Sequence, residues 1–166
     1  MKLVKKLPVS HYVIYSVIIA VGILLDQLTK LLAIVFLKPV DTVPLWRGVL
    51  HLTYVENRGA AFGMLADHRW VFMVVSTVTI IGIAIALYLG HIDGLRYGVC
   101  LSAIISGGIG NMIDRIVLGY VVDFIDFRLI NFAVFNGADS FVCVGAGFMI
   151  LFLLLDIFRE AKEKKQ

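Results

Sequence analysis

The sequence predicts an integral membrane protein, mainly α-helical, with four transmembrane helices and two outer segments that hold its polar chemistry. Three observations lead there. The 166 residues are 60% hydrophobic and 16% charged, with a mean hydropathy of +0.95, whereas soluble domains average about 45–50% apolar and about 25% charged. Four apolar runs, near 12–37, 70–89, 95–113 and 138–158, match the roughly 20 residues that cross hydrocarbon as a helix. The lysines gather at the two chain ends, flanking the first and last runs. With a formal charge of only +3, that distribution fits orientation in a membrane and argues against nucleic-acid binding. The whole chain, 1–166, reads as a single membrane domain, with outer segments near 38–69 and 114–137.

The first run follows Lys2, Lys5 and Lys6, which resemble the basic start of a signal peptide. Its length, the presence of Asp26 and Lys30, and the lack of a prompt cleavage site make it an uncleaved span. Its second half is polar at Asp26, Gln27, Thr29 and Lys30. Spaced i, i+4 with the acid first, Asp26 and Lys30 can pair on one helix face. Such a pair is the cheapest way to keep charge at that depth, and it can orient the helix or help hold a polar substrate backbone.

The outer segment 38–69 opens with turn residues and reaches Val49-Leu50-His51-Leu52-Thr53-Tyr54-Val55, whose β-branched and aromatic residues predict a short strand. It continues into Asn57-Arg58-Gly59-Ala60-Ala61-Phe62-Gly63-Met64-Leu65, a small-residue stretch suited to the membrane interface, with 58–63 a candidate gate. Residues 90–94 form a bare inner turn. The third span ends Ser106-Gly107-Gly108-Ile109-Gly110-Asn111-Met112-Ile113-Asp114-Arg115. Its glycines allow close helix approach in lipid. Asn111 and Arg115 share a face at i, i+4, where an amide and a guanidinium could hold a carboxylate or peptide carbonyls, and Asp114 is a local counter-ion for Arg115 or a neighbouring base.

Asp123 follows two valines in an extended segment, and Asp126 points toward the other face as a solvated acid. Asn136 is placed to cap the last span, and Asp139 falls in its first turn. Ionised carboxylates at a membrane edge are rare without a partner or a task. Two that are brought together resist double ionisation and share a proton, giving an acid and a base near neutral pH. The helix dipole favours the charge on Asp139 and the proton on Asp123.

An even number of spans puts both termini on one side. Lys2, Lys5, Lys6, Arg96, Arg159, Lys162, Lys164 and Lys165 then face the cytoplasm, and most acids face out. The two cysteines, Cys100 near an inner end and Cys143 near an outer end, lie too far apart for a disulfide and read as buried small hydrophobes.

Five stretches together resemble the bacterial lipoprotein signal peptidase (signal peptidase II) family. They are Asp26-Gln27-Leu28-Thr29-Lys30, Asn57-Arg58-Gly59-Ala60-Ala61-Phe62, Gly107 through Arg115, Val121-Val122-Asp123-Phe124, and Phe135-Asn136-Gly137-Ala138-Asp139-Ser140. The resemblance implies four membrane helices with an extracytoplasmic β-cradle and an interfacial helix. It implies an aspartic endopeptidase that removes prolipoprotein signal peptides, cutting just before a diacylglyceryl-modified cysteine, with no cofactor or metal. It implies Asp123 and Asp139 as the catalytic pair, supported by Asp26, Lys30, Asn57, Gly59, Gly107, Asn111, Arg115, Asn136 and Ala138. It further implies inhibition by globomycin-type peptides, contact with membrane lipids, and residence in the cytoplasmic membrane with the site outside. Gly137 departs from the pattern, where an apolar branched residue is usual.

Two other readings compete. A metal-dependent lipid-phosphate transferase would use Asp114, Asp123, Asp126 and Asp139 on Mg²⁺. The sequence lacks the His and additional acids clustered at tight helical spacing that this favours. A proton-coupled carrier would relay through Asp26, Lys30 and the outer acids. Against it, the acids crowd one face and no internal repeat is visible.

Overall fold

A computed structural model describes residues 7–59 and 69–164. The four apolar runs are all helical: α1 Val9–Leu32, α2 Arg69–Tyr88, α3 Leu95–Val117 and α4 Gly137–Glu163. A π-helical turn, Ala33–Leu37, prolongs α1. Among the described residues, three helical stretches are long and apolar enough to cross a membrane: Val9–Leu37, Leu95–Val117 and Gly137–Glu163. The apolar part of α2, Met73–Tyr88, is shorter. The third run continues as helix past its expected end, so Asp114 belongs to α3 and not to a loop.

The three strands are β1 Thr42–Trp46, β2 Leu50–Asn57 and β3 Val121–Phe127. They form one antiparallel sheet in the order β1-β2-β3. The expected strand is β2; β1 carries Pro44, which the ladder tolerates because β1 is an edge strand. Gly48, at a φ of 75° that a side chain would resist, closes the β1–β2 hairpin. Ladder irregularities fall between Leu52 and Val55 and between Pro44 and Trp46. After β3 the chain turns back, and Phe135 pairs with Ile125 before α4 begins.

The interior is polar where a soluble protein's would be apolar. Asp26, Lys30, Ser102, Ser106, Asp114, Asp123 and Asn136 are buried, while Val13, Val17, Leu24, Leu28, Leu151 and Leu154 are exposed. Hydrocarbon supplies no water, so polar groups gather inside and apolar side chains turn out to the lipid. α3 is the central helix and packs against the other three. Its small residues set the spacing: a Cβ at Gly107 would overlap the Ala138 carbonyl oxygen, and one at Gly110 would overlap the Asp26 carboxylate. Two apolar clusters flank this polar core. One is Tyr15, Leu87 and Ile105; the other is Ala33, Leu37 and Val122, under the sheet.

Two expectations are overturned. Asp126 is not a solvated acid: it is 9% exposed and accepts from Arg128 Nε at 2.8 Å and Thr53 Oγ1 at 2.7 Å. These bonds outweigh its burial and hold its carboxyl below the usual range. Cys143 is not buried: it is exposed and lines the same cavity as Asp139, because it lies one turn after Asp139 on the same face of α4.

Candidate active site

The site begins with a helix cap. Asn136 accepts the Asp139 N–H at 2.9 Å, and the Asp139 carboxylate accepts the Asn136 N–H at 3.2 Å, a reciprocal capping box that opens α4. Local sequence thus suffices to hold Asp139 at the start of the helix. Its other oxygen accepts the Asn111 amide at 2.7 Å, across the α3–α4 contact.

Strand β3 brings the second carboxylate. Asp123 is 1% exposed and takes one amide proton on each oxygen, from Asn136 at 2.6 Å and from Asn57 at 2.9 Å. Burial, with Asp139 nearby, outweighs these donors and the Lys30 charge, and pushes the Asp123 carboxyl up to about 7. Asn136 therefore touches both aspartates, one through its backbone and cap, the other through its NH₂. Asn57 is itself oriented by the Gly59 N–H, which donates to its carbonyl oxygen at 3.0 Å.

A buried ion cluster lies behind the pair. Lys30 Nζ is 2.9 Å from Asp26, 3.0 Å from Asp114 and 2.9 Å from the Asn111 carbonyl oxygen. The second oxygen of Asp26 accepts the Ala138 N–H at 2.8 Å, which ties α1 to the first turn of α4. The expected Asp26–Lys30 pair is present, and it is part of a larger cluster. Arg115 Nη1 donates to the Asn111 backbone carbonyl at 3.3 Å and the side chain lines the cavity.

That cavity has a volume of about 510 Å³. Asn57, Gly59, Asn111, Arg115, Asp123 and Asp139 form its polar floor, and Phe127, Ile130, Phe132 and Phe135 wall it with apolar surface. Such a mix of apolar walls and a few convergent polar groups suits a lipid-bearing or hydrophobic peptide. Gly107 and Ala138 permit the close helix approach; Lys30 and Asn136 bond to lining residues and Asp26 to Lys30 and Ala138, while the other expected site residues line the cavity. Residues 60–62 of the second motif, and 60–63 of the candidate gate, lie outside the described residues.

The carboxylates that a metal-dependent lipid-phosphate transferase would use do not converge. Asp126 is engaged by Arg128 and Asp114 by Lys30, and among the described residues no group of three or more His, Cys, Asp or Glu side chains is placed to hold a metal. Sequence reasoning missed the aromatic wall and Gln27, whose amide lies 3.0 Å from Asp114 and 3.2 Å from the Gly110 carbonyl. The signal for Gln27 was there: it is one of the few polar residues in an apolar helix.

Comparison with known proteins gives the family. The family model described as Signal peptidase (SPase) II matches residues 18–155. A lipoprotein signal peptidase of Brevibacillus brevis is 42% identical over 151 residues, covering 91% of this chain and 99% of that protein. One of Clostridioides difficile is 47% identical over 156 residues, with the same coverage. Among solved structures, two bacterial membrane enzymes determined by the in meso method are each 30% identical, with TM-scores of 0.78 and 0.75. The first alignment covers 86% of this chain and 88% of the other, the second 84% and 92%. The family model spans residues 18–155 and the relatives match nearly their whole length, so this chain, with Asp123 buried and Asp139 half-buried in a membrane fold, is an aspartic-type enzyme that belongs to the signal peptidase II family.

Proposed function

We propose that Asp123 and Asp139 are the catalytic pair of a membrane endopeptidase that cleaves prolipoproteins just before a diacylglyceryl-modified cysteine. The observation that carries this reading is the single asparagine, Asn136, bonded to both carboxylates at the floor of a largely apolar cavity.

The reaction follows from the protonation the environment favours. Asp123 enters protonated and Asp139 ionised, as one proton shared by a coupled pair. Asp139 takes a proton from a water held between them while the water oxygen attacks the scissile carbonyl carbon. Asp123 passes its proton to the carbonyl oxygen, giving a neutral gem-diol intermediate. On collapse, Asp139 gives its proton to the departing nitrogen, the C–N bond breaks, and one hydroxyl proton returns to Asp123. The products are a carboxyl-terminated signal peptide and a free amine on the lipidated cysteine.

The supporting roles are read from contacts. Asn57, Asn111 and Asn136 present N–H groups to the pair, while Asp26 and Lys30 anchor α1 behind it. Gly107 and Ala138 let α3 and α4 close, Gly59 orients Asn57, and Arg115 offers a guanidinium to the substrate backbone. The chain is proposed to act as one domain with α2 as a fourth span, in the bacterial cytoplasmic membrane, with both termini cytoplasmic and the cavity outside. The substrate's acyl chains stay among membrane lipids beside the apolar wall, and globomycin-type peptides occupy the same cavity.

The test is cleavage of a diacylglyceryl-modified prolipoprotein by purified protein in detergent with excess EDTA, beside Asp123→Asn and Asp139→Asn. Chelator-resistant cleavage that either substitution abolishes is the expected result. Loss with EDTA would point to a metal enzyme, and no cleavage by well-folded wild type would return the carrier reading.

A further inference from the structure

We propose that Asp114 is a positioning residue for the reaction, acting through Lys30 and two asparagine amides on both carboxylates of the pair. The inference rests on the reading of Asp123 and Asp139 as catalytic.

Asp114 is 3% exposed, and both its oxygens are engaged. One accepts from Lys30 Nζ and from the Val122 N–H, each at 3.0 Å. The other accepts from the Gln27 amide at 3.0 Å. Val122 directly precedes Asp123, so this carboxylate ties the end of α3 to the strand position that carries the reacting group.

Lys30 has three protons, and three oxygens surround it: those of Asp26, Asp114 and Asn111. An ammonium only donates, so Asn111 must turn its carbonyl toward Lys30. Its NH₂ then faces Asp139, at 2.7 Å. The same Asn111 oxygen accepts the Asn136 NH₂ at 3.0 Å. That fixes the second amide too, with its NH₂ on Asp123 and its carbonyl on the Asp139 N–H. One buried ammonium therefore decides that both carboxylates meet donors and not carbonyl oxygens. Without Asp114, the ammonium keeps a single carboxylate partner and the Val122 N–H loses its acceptor. A cavity of about 160 Å³ beside Gln27 and Lys30 gives the freed side chain room to swing away from Asn111.

The charged groups around this relay are Asp26 and Lys30 from α1, Asp114 and Arg115 from α3, Asp123 from β3, and Asp139 from α4. Asp114→Asn removes one negative charge from that set and keeps a carbonyl oxygen for Lys30 and Val122. Asp114→Leu removes both charge and acceptor.

The experiment measures kcat, KM and the pH profile of both variants on lipidated prolipoprotein, with thermal melting in the same detergent. Asp114→Asn is expected to move the alkaline limb of kcat/KM to lower pH by about half a unit or more, with KM unchanged, since removing a nearby negative charge favours ionisation. Asp114→Leu is expected to lower kcat about 30- to 100-fold with KM within about threefold, the pattern of lost transition-state positioning. A role confined to folding would lower the melting temperature and leave the Asp114→Asn profile superimposed on wild type, which overturns the proposal. If Asp114→Leu does not fold, the Asp114→Asn profile decides alone. Asp123→Asn is the control. Turnover by it removes the catalytic pair and this inference together, whereas its inactivity beside an unmoved Asp114→Asn profile removes this inference only.

Discussion

Replacing Asn136 separates helix capping from chemistry, because the residue does both with different atoms. Its carbonyl oxygen caps α4 by accepting the Asp139 N–H at 2.9 Å. Its NH₂ donates to Asp123 at 2.6 Å and to Asn111 at 3.0 Å. A lost N-cap costs about 1 kcal/mol, and a lost hydrogen bond to the protonated, neutral Asp123 carboxyl about 0.5–1.5 kcal/mol. Asn136→Ala forfeits both, so its destabilisation should total about 2 kcal/mol. Asn136→Ser keeps a good capping oxygen but has no NH₂ to reach Asp123, so it should recover about 1 kcal/mol of that loss. Activity should not recover with it. If the Asp123 donor contributes about 2 kcal/mol in the transition state, both variants turn over about 30-fold more slowly. The assay pairs thermal melting with kcat on lipidated prolipoprotein in one detergent. A serine variant that regains wild-type kcat along with its stability would show that Asn136 is only a cap, and would refute the bridging argument.

Four further outcomes follow from the same contacts. The Asp123 carboxyl, pushed up to about 7, must hold its proton to act as the acid, so kcat/KM should fall as pH rises through about 7, read from a pH–rate profile. The sign for stability is the same: from about pH 4 to about 7 the folded state keeps a proton the unfolded chain has lost, so this group's contribution declines across that window and levels off above it, measured by chemical denaturation at stepped pH. Gly107→Ala should destabilise by about 1–3 kcal/mol because its Cβ meets the Ala138 backbone, whereas Gly108→Ala, whose Cβ meets only the flexible end of Ile80, should melt much closer to wild type. Gly137→Ala should be accepted, since the nearest atom to its Cβ is an Asp26 oxygen at an ordinary 3.5 Å. It should gain about 0.5–1 kcal/mol from the stiffer unfolded chain, with cleavage rate unchanged.

The contrast between residues that were readable and residues that were not has a physical basis. Asp26 and Lys30 announce themselves because charge inside an apolar run must be paired or used. The Asn136–Asp139 cap is equally legible, since both partners lie within one helical turn. Asp126 was misread because face alternation says which way a side chain points, not what waits there; Arg128 and Thr53 fold over it. Cys143 was misread because hydropathy does not distinguish a side chain facing another helix from one facing a cavity. The meeting of Lys30 with Asn111, and of Asn57 with Asp123, depends on the register of α1 against α3 and of β2 against β3. The irregular β2–β3 ladder shifts that pairing between Leu52 and Val55, and no local pattern encodes it.

What sets the α1–α3–α4 register is nevertheless written in small residues. Gly107 admits the Ala138 carbonyl and Gly110 admits the Asp26 carboxylate, so the helices can close only where those two positions face their partners. That closure brings the Ala138 N–H onto Asp26 and the Asn111 amide onto Asp139. In lipid there is no water to accept these groups if the register slips by a turn, and each unpaired one would cost several kcal/mol. Steric permission at the glycines and the penalty for unpaired polar groups therefore select the same arrangement, and the two aspartates come together as its consequence.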